Sequence, residues 1–319
     1  MSNSVRVSVV TPVHNAEAYV EMAVRSALAS DLRELEVIVV DDGSTDRSAA
    51  IVANIDDPRV VTVRLQRSGM PARPRNVGIA RARAPYVAFL DADDLLKHDR
   101  LSAAVSALDR HPEAGFAFAD FERIDQDGSL IQESALTDFP RFRTLTSVPV
   151  ADDWRLIPQA QLARGLLYEN FIGTSGVVLR KQLLTEIGPF NESTVYSEDL
   201  DLWFRLAHRC GALYWTHIGH SYRVRPGSLS DGSQVRNARD RITVLRREKD
   251  RWSDRAARRE LDRHIAQNLA GIGYAERNRR RRLRSIAMFA SAFAVCPEVR
   301  WLRGMLGSIL SKRTRSCHR

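Results

Sequence analysis

Cysteine is scarce in this 319-residue chain: Cys210, Cys296 and Cys317 are scattered, and no two stand in a Cys-x-x-Cys spacing. A disulfide framework or a cysteine zinc site is therefore not expected. A reducing compartment fits best, with the bacterial cytoplasm as the expected location. Long apolar runs are also missing. No uncharged stretch reaches the roughly 18 residues that a spanning helix needs. The longest apolar run, Ile286 to Cys296, stops at Pro297. The first residues pass directly into a strand-like run, Val5 to Val10, without a basic segment and an apolar core, so no secretory signal is expected. The turn after that run, TPVHNAEAY, contains no glycine, so no Gly-rich phosphate cradle follows the first strand.

What the chain does have is an apolar fraction of 44%, enough for a sizeable core, and a net charge of +9 that is unevenly spread. Residues 236–319 hold 23 Lys+Arg against 8 Asp+Glu, whereas residues 1–235 hold 25 against 31. A mildly acidic body thus carries a strongly basic tail. The expected organisation is a larger domain over residues 1–234 and a basic helical region over 235–319. A pI near 9.9 raises nucleic-acid binding as one reading. Confinement of the charge to the tail, with no zinc-finger or RNA-binding aromatic motif, argues against it, and no nucleic-acid partner is expected.

The body alternates strand-like and helix-like segments, which predicts an α/β layered domain. Strands are expected at Val5–Val10, Leu35–Val40, Arg59–Leu65, Tyr86–Leu90, Gly115–Asp120, Ser175–Arg180 and Leu213–Ile218. Val20, Ala23, Val24, Ala27 and Leu28 recur at helical spacing, with Asn15 as the expected N-cap. A second helix is expected from Glu198-Asp199 onward, with Trp203 and Phe204 read as core. From Phe121 to Pro158 the pattern weakens, which predicts a loop-rich stretch suited to acceptor contacts, with Trp154 as a candidate to stack on a sugar face.

Three acidic clusters fall at or near strand ends: Asp41-Asp42, Asp91/Asp93/Asp94 and Glu198-Asp199. In an open α/β sheet ligands bind beyond the carboxyl ends of the strands. Carboxylates gathered there persist only if a cation or proton compensates them. Asp91-Ala92-Asp93 in an extended segment turns both carboxylates to one side, within reach of a hard cation such as Mn²⁺ or Mg²⁺. Arg75 is a candidate for bidentate contact with phosphate oxygens.

VSVVTPVHNAEAYV, VIVVDDGSTD, RNVGIARARAPYVAFLDADD, TSGVVLRKQLLTEIGPFNE, SEDLDLWFRLA and SYRVRPGSLS follow one another in this order. In that order they resemble the inverting family 2 glycosyltransferases, over roughly Val5 to Asp231. The resemblance implies a GT-A fold, a Rossmann-like mixed sheet flanked by helices, here with the basic helical appendage. It implies transfer of a sugar from a nucleotide-sugar donor, usually a UDP-sugar, to an acceptor hydroxyl. It also places Thr11, Pro12, Asn15 and the Asp41-Asp42 pair around the nucleoside, without distinguishing which aspartate touches the base. Arg75-Asn76 falls near the base and diphosphate. Asp91 falls towards ribose and metal, Asp93 on the metal, and Asp199 as general base with Glu198 in reserve. The base assignment has its own logic, since a sugar hydroxyl is a poor nucleophile and a carboxylate must take its proton.

Arg225 stands where the family often has a metal-binding histidine. Arginine cannot ligate a cation, so contact with the diphosphate is expected of it instead. His217 and His220 lie nearby and are read as structural. A sugar nucleotidyltransferase, the competing enzyme class, would need the Gly-rich loop that is missing. The expected partners are the donor and a carbohydrate, lipid-linked or small-molecule acceptor, with self-association also open. The tail run RNRRRRLRSIAMFASAFAV couples positive charge to a short apolar segment. It is read either as a solvated appendage or as contact with the inner face of an anionic membrane.

Overall fold

β-Branched runs and the helical-period segments between them fold into one mixed sheet flanked by helices. The computed structural model describes residues 4–151, 153–226 and 234–310. It divides into two compact units, Met1–Pro226 and Gly227–Arg319. The first opens with β1 (Val7–Val13), α1 (Val20–Leu28), β2 (Leu35–Asp41), α2 (Ser48–Ala53), β3 (Val60–Arg64), α3 (Ala72–Arg81) and β4 (Tyr86–Phe89). It continues with β5 (Leu95–Leu96), α4 (Arg100–Arg110), β6 (Ala114–Ile124), β7 (Leu130–Gln132), β8 (Val148–Ala151) and β9 (Trp154–Ile157). α5 (Gln159–Tyr168), β10 (Val178–Arg180), α6 (Lys181–Ile187), α7 (Glu198–Ala207) and β11 (Gly211–Arg223) complete it.

Strand order is β3-β2-β1-β4-β10-β6-β11-β9-β8, with β5 added to β11 and β7 to β6. The first four strands in this order are parallel, β10 is antiparallel to β4 and β6, and β11 returns parallel to β6. β1 and β2 are buried almost throughout, which explains their near-continuous Val/Ile runs. β2 lies on one side of β1 and β4 on the other, so the order reverses at β1. Loops leaving the carboxyl ends of β1 and β4 therefore diverge and open a crevice. α1 buries Val20, Ala23, Val24, Ala27 and Leu28, the stripe read from its periodicity. α3 lies directly on β1: a Cβ on Gly78 would fall 2.3 Å from Val10 Cγ1.

Asn15 does not cap α1. Its backbone is left-handed, with φ 48°, and the helix starts later, behind Tyr19. Its side-chain oxygen instead accepts from Thr45 N at 2.8 Å. The stretch expected to be loop-rich contains β7 and the antiparallel β8–β9 pair. These strands are only three or four residues long, too short for alternation to be readable. Trp154 is correspondingly not an open stacking platform. It is 6% exposed and stacks on Trp215 at 5.7 Å, with the Arg100 guanidinium 5.8 Å from its ring. Trp203 is fully buried and stacks on Phe116.

Over its described residues the second unit is helical: α8 (Gln234–Asp250), α9 (Arg255–Asn278), α10 (Arg282–Val295) and α11 (Val299–Leu310). Leu245, Leu261, Ile265 and Leu269 are buried, and α8 packs along α9. Among the described residues no helix is long and apolar enough to cross a membrane. Cys210 and Cys296 are free thiols. Cys317 and residues 227–230 of the last motif lie outside the described residues.

Candidate active site

Two of the acidic clusters, those of Asp91 and Glu198, are joined by Arg75, and the third, Asp41-Asp42, stands at the carboxyl end of β2. Asp41, the last residue of β2, pairs in register with Val13 of β1. Its Oδ1 accepts from Ser44 N at 3.0 Å. Its Oδ2 is buried without a hydrogen bond; the exposed Arg64 guanidinium lies at 3.4 Å, an ion-pair distance only. Asp41 borders a cleft of about 240 Å³ with Val13, Val39, Val52, Thr62 and Arg64. Asp42 differs sharply. Both of its oxygens are taken by the Ser68–Gly69 turn, through Ser68 N at 2.8 Å, Ser68 Oγ at 3.0 Å and Gly69 N at 3.1 Å. Of the two, Asp41 keeps an acceptor to offer. Thr11 is buried in β1 with an unpartnered Oγ1, and Pro12 beside it is half-buried.

Arg75, on α3, is 5% exposed and joins two clusters. Its Nη2 donates to Asp91 Oδ1 at 2.6 Å and its Nη1 to Glu198 Oε1 at 2.7 Å. The guanidinium lies 5.3 Å from the Phe190 ring centroid. Arg75 is thus committed to two carboxylates rather than held out to a phosphate. Asn76 is committed as well. Its Nδ2 donates to Phe190 O at 2.9 Å and Glu192 Oε1 at 2.8 Å, and its Oδ1 accepts from Phe190 N at 2.9 Å. The amide pins the loop before α7, which differs from the donor contact expected of it.

Residues 91–94 are gripped from several sides. Ser175 Oγ accepts from Asp91 N at 3.1 Å and donates to Asp94 Oδ2 at 2.5 Å. Arg223 donates from its backbone N to Asp94 Oδ1 and from Nε to Asp93 O, each at 2.9 Å. Arg225 Nε donates to Asp93 Oδ2 at 2.7 Å. Both guanidinium groups lie over the Tyr19 ring, at 5.0 and 5.4 Å. Ala92 is buried in the core. Burial and then the Asp91 charge push the Asp93 carboxyl up, although Arg225 opposes them. Burial and then Asp93 and Asp91 hold the Asp94 carboxyl well above its ordinary range.

The donor set at Asp91 and Asp93 fits a divalent cation. Asp91 and Asp93 are hard oxygen donors with side chains 30% and 20% exposed. Among the described residues no cluster of three or more His, Cys, Asp or Glu side chains is placed to hold a metal. Phosphate oxygens would therefore have to supply further ligands. The nearby histidines stand apart: His217 pairs with Asp153 at 3.0 Å. His220 is buried against Phe121, and burial and then Arg100 push it down to about 3.

α7 opens with Glu198, Asp199 and Asp201, where the helix dipole favours negative charge. Glu198 is 7% exposed, and burial pushes it up to about 7 against the pull of Arg75, with Asp199 adding to the rise. Asp199 is half-buried and accepts from Asn170 Nδ2 at 3.0 Å. Ser175, Arg223 and Asn170 were not identified as site residues from sequence. Ser175 lies within a quoted motif block, but nothing marked its bonds to residues 91–94.

Residues 8–180 match the family model described as glycosyl transferase family 2. The chain is 30% identical over 226 residues to the succinoglycan biosynthesis protein ExoO of Rhizobium meliloti, which covers 70% of this chain and 62% of that one. It is 37% identical over 125 residues to the putative teichuronic acid biosynthesis glycosyltransferase TuaG of Bacillus subtilis, covering 39% of this chain and 49% of the relative. The chain thus spans less than two thirds of the length of either relative. Its fold is similar to that of Staphylococcus aureus TarS, residues 1–349, in complex with UDP-GlcNAc. There the TM-score is 0.62 at 20% identity, covering 92% of this chain and 82% of the other.

Proposed function

The chain belongs to glycosyl transferase family 2, and we propose that it transfers a sugar from a UDP-sugar to an acceptor hydroxyl with inversion at the anomeric carbon. One observation carries this reading: Arg75 ties Asp91, at the donor end, to Glu198, next to Asp199. Two ion pairs from one guanidinium set the leaving-group side and the base side of a displacement at a fixed separation.

In this reading Asp41 Oδ2, which accepts no hydrogen bond within the fold, accepts the imide N–H of uracil. Asp91 and Asp93 would hold Mn²⁺ or Mg²⁺, which when bound offsets charge on a departing diphosphate. Arg225, already at Asp93, adds a fixed positive charge on the same side. Asp199 accepts the proton of the acceptor hydroxyl, and Asn170 orients its carboxylate. Glu198 is a positioning residue that acts through Arg75. The acceptor oxygen attacks the anomeric carbon opposite the departing diphosphate while Asp199 takes its proton, so a single displacement with one base gives inversion.

The UDP-GlcNAc-bound TarS neighbour supports a hexosyl or N-acetylhexosaminyl donor. The succinoglycan and teichuronic acid relatives support polysaccharide or glycoconjugate assembly. The test is calorimetric titration of a panel of nucleotide sugars with Mn²⁺, Mg²⁺ or chelator. Binding of at least one UDP-sugar, with slow release of UDP, is expected. Failure of every donor under all three conditions overturns the reading.

A further inference from the structure

The two faces of α11 differ completely. Trp301, Gly304 and Ser308 are buried, Gly304 so tightly that a Cβ would fall 2.4 Å from the Phe289 ring. The other face carries Val299, Leu302, Leu306 and Ile309 at i, i+3, i+7 and i+10. These residues are 65%, 38%, 56% and 55% exposed, and Leu310 is 75% exposed. Leu283, at the start of α10, is 84% exposed and lies at the same end: the Ser285 and Ser308 hydroxyls meet at 2.9 Å, laying the start of α10 beside the end of α11. Single exposed leucines are ordinary on a protein surface, but a continuous helical stripe of them is not.

The charge around this stripe has one sign. Neither α10 nor α11 contains an acidic residue. Arg279, Arg280, Arg281 and Arg284 are exposed at the start of α10, and Arg300 and Arg303 on α11. Glu298, in the turn between the helices, is paired with Arg300 at 2.5 Å. Glu276, at the end of α9, is buried and 3.6 to 3.7 Å from Arg279 and Arg281. A second copy of the chain would present the same positive rim to this one, so self-association through the face is opposed. A nucleic acid would satisfy the arginines and leave the leucines in water. An anionic bilayer satisfies both, with phosphates for the guanidinium groups and the acyl boundary for the stripe.

We propose that the exposed face of α11, with the start of α10, docks on an anionic lipid bilayer. α11 has 12 residues and is about 18 Å long, so it lies in the interface and does not span it. This surface goes beyond the transferase reading, and donor binding and vesicle binding can fail separately.

The full chain is sedimented with phosphatidylcholine vesicles, with and without phosphatidylglycerol, at low and at physiological salt. Binding that requires phosphatidylglycerol and weakens with salt is expected. Leu302→Glu with Leu306→Glu should weaken partitioning at least about tenfold at both salts. Arg279→Gln with Arg280→Gln should cost about fivefold per arginine at low salt, and less at high salt. Thermal melting and UDP binding serve as folding controls, and the arginine pair keeps the test alive if the leucine pair does not fold. No pelleting with phosphatidylglycerol vesicles at low salt overturns the proposal. So does sedimentation velocity showing a dimer that the leucine pair dissociates while vesicle binding is unchanged.

Discussion

Replacing Glu198 by glutamine isolates a carboxyl on which two strong influences disagree. Burial raises it, the Arg75 guanidinium at 2.7 Å opposes the rise, and Asp199 adds to it, leaving the group at about 7. Arg75 does not prevail because burial is the larger of the two influences. A carboxyl that titrates near 4.5 in the unfolded chain and near 7 in the fold holds its proton more tightly in the fold. The stability this contributes is complete at acid pH, below the unfolded value, and is lost as pH rises through the folded value. Glutamine has no proton to lose and leaves an acceptor for Arg75. Between about pH 5 and about pH 8 the stability of the variant relative to wild type should therefore rise by roughly 2–3 kcal/mol. Urea unfolding at intervals across that range, each variant value referred to wild type at the same pH, gives the difference directly. A difference that stays flat would mean that Glu198 is ionised throughout in its pair with Arg75, and the reasoning from burial would be refuted.

Asp199→Asn should lower the transfer rate by about 10²-fold or more while leaving UDP binding within about twofold, as measured by product formation and calorimetry. Loss of both together would move the base elsewhere. Gly78→Ala forces a methyl group to within 2.3 Å of Val10 Cγ1, so a loss of about 1–3 kcal/mol in urea unfolding is expected. An unchanged midpoint would show that α3 and β1 can part without cost.

β1, β2 and β4 were legible because they are buried almost throughout, and β2 and β4 run into the acidic residues Asp41 and Asp91. The start of α7 was legible from Glu198-Asp199 because acidic residues favour the first turn of a helix. What stayed hidden depends on contacts distant in sequence. Which of Asp41 and Asp42 keeps a free oxygen is decided by where the Ser68–Gly69 turn packs. The commitment of Asn76 to Phe190 spans 114 residues, and that of Arg75 to Glu198 spans 123. Motif spacing places such residues in a site, yet it does not say whether they face a ligand or one another. Trp154 was misread because β9 is short and its partner, Trp215, lies on a different strand.

The pairing of Asp91 with Arg75 and of Asp93 with Arg225 also bears on how a ligand arrives. A bare set of carboxylates at the mouth of a crevice would repel a diphosphate before any contact formed. With a guanidinium on each, the entrance is close to neutral to an approaching anion, and Arg225, 22% exposed, is the cation it meets from solvent. Capture should then slow as ionic strength rises, and to a degree set more by Arg225 than by Arg75.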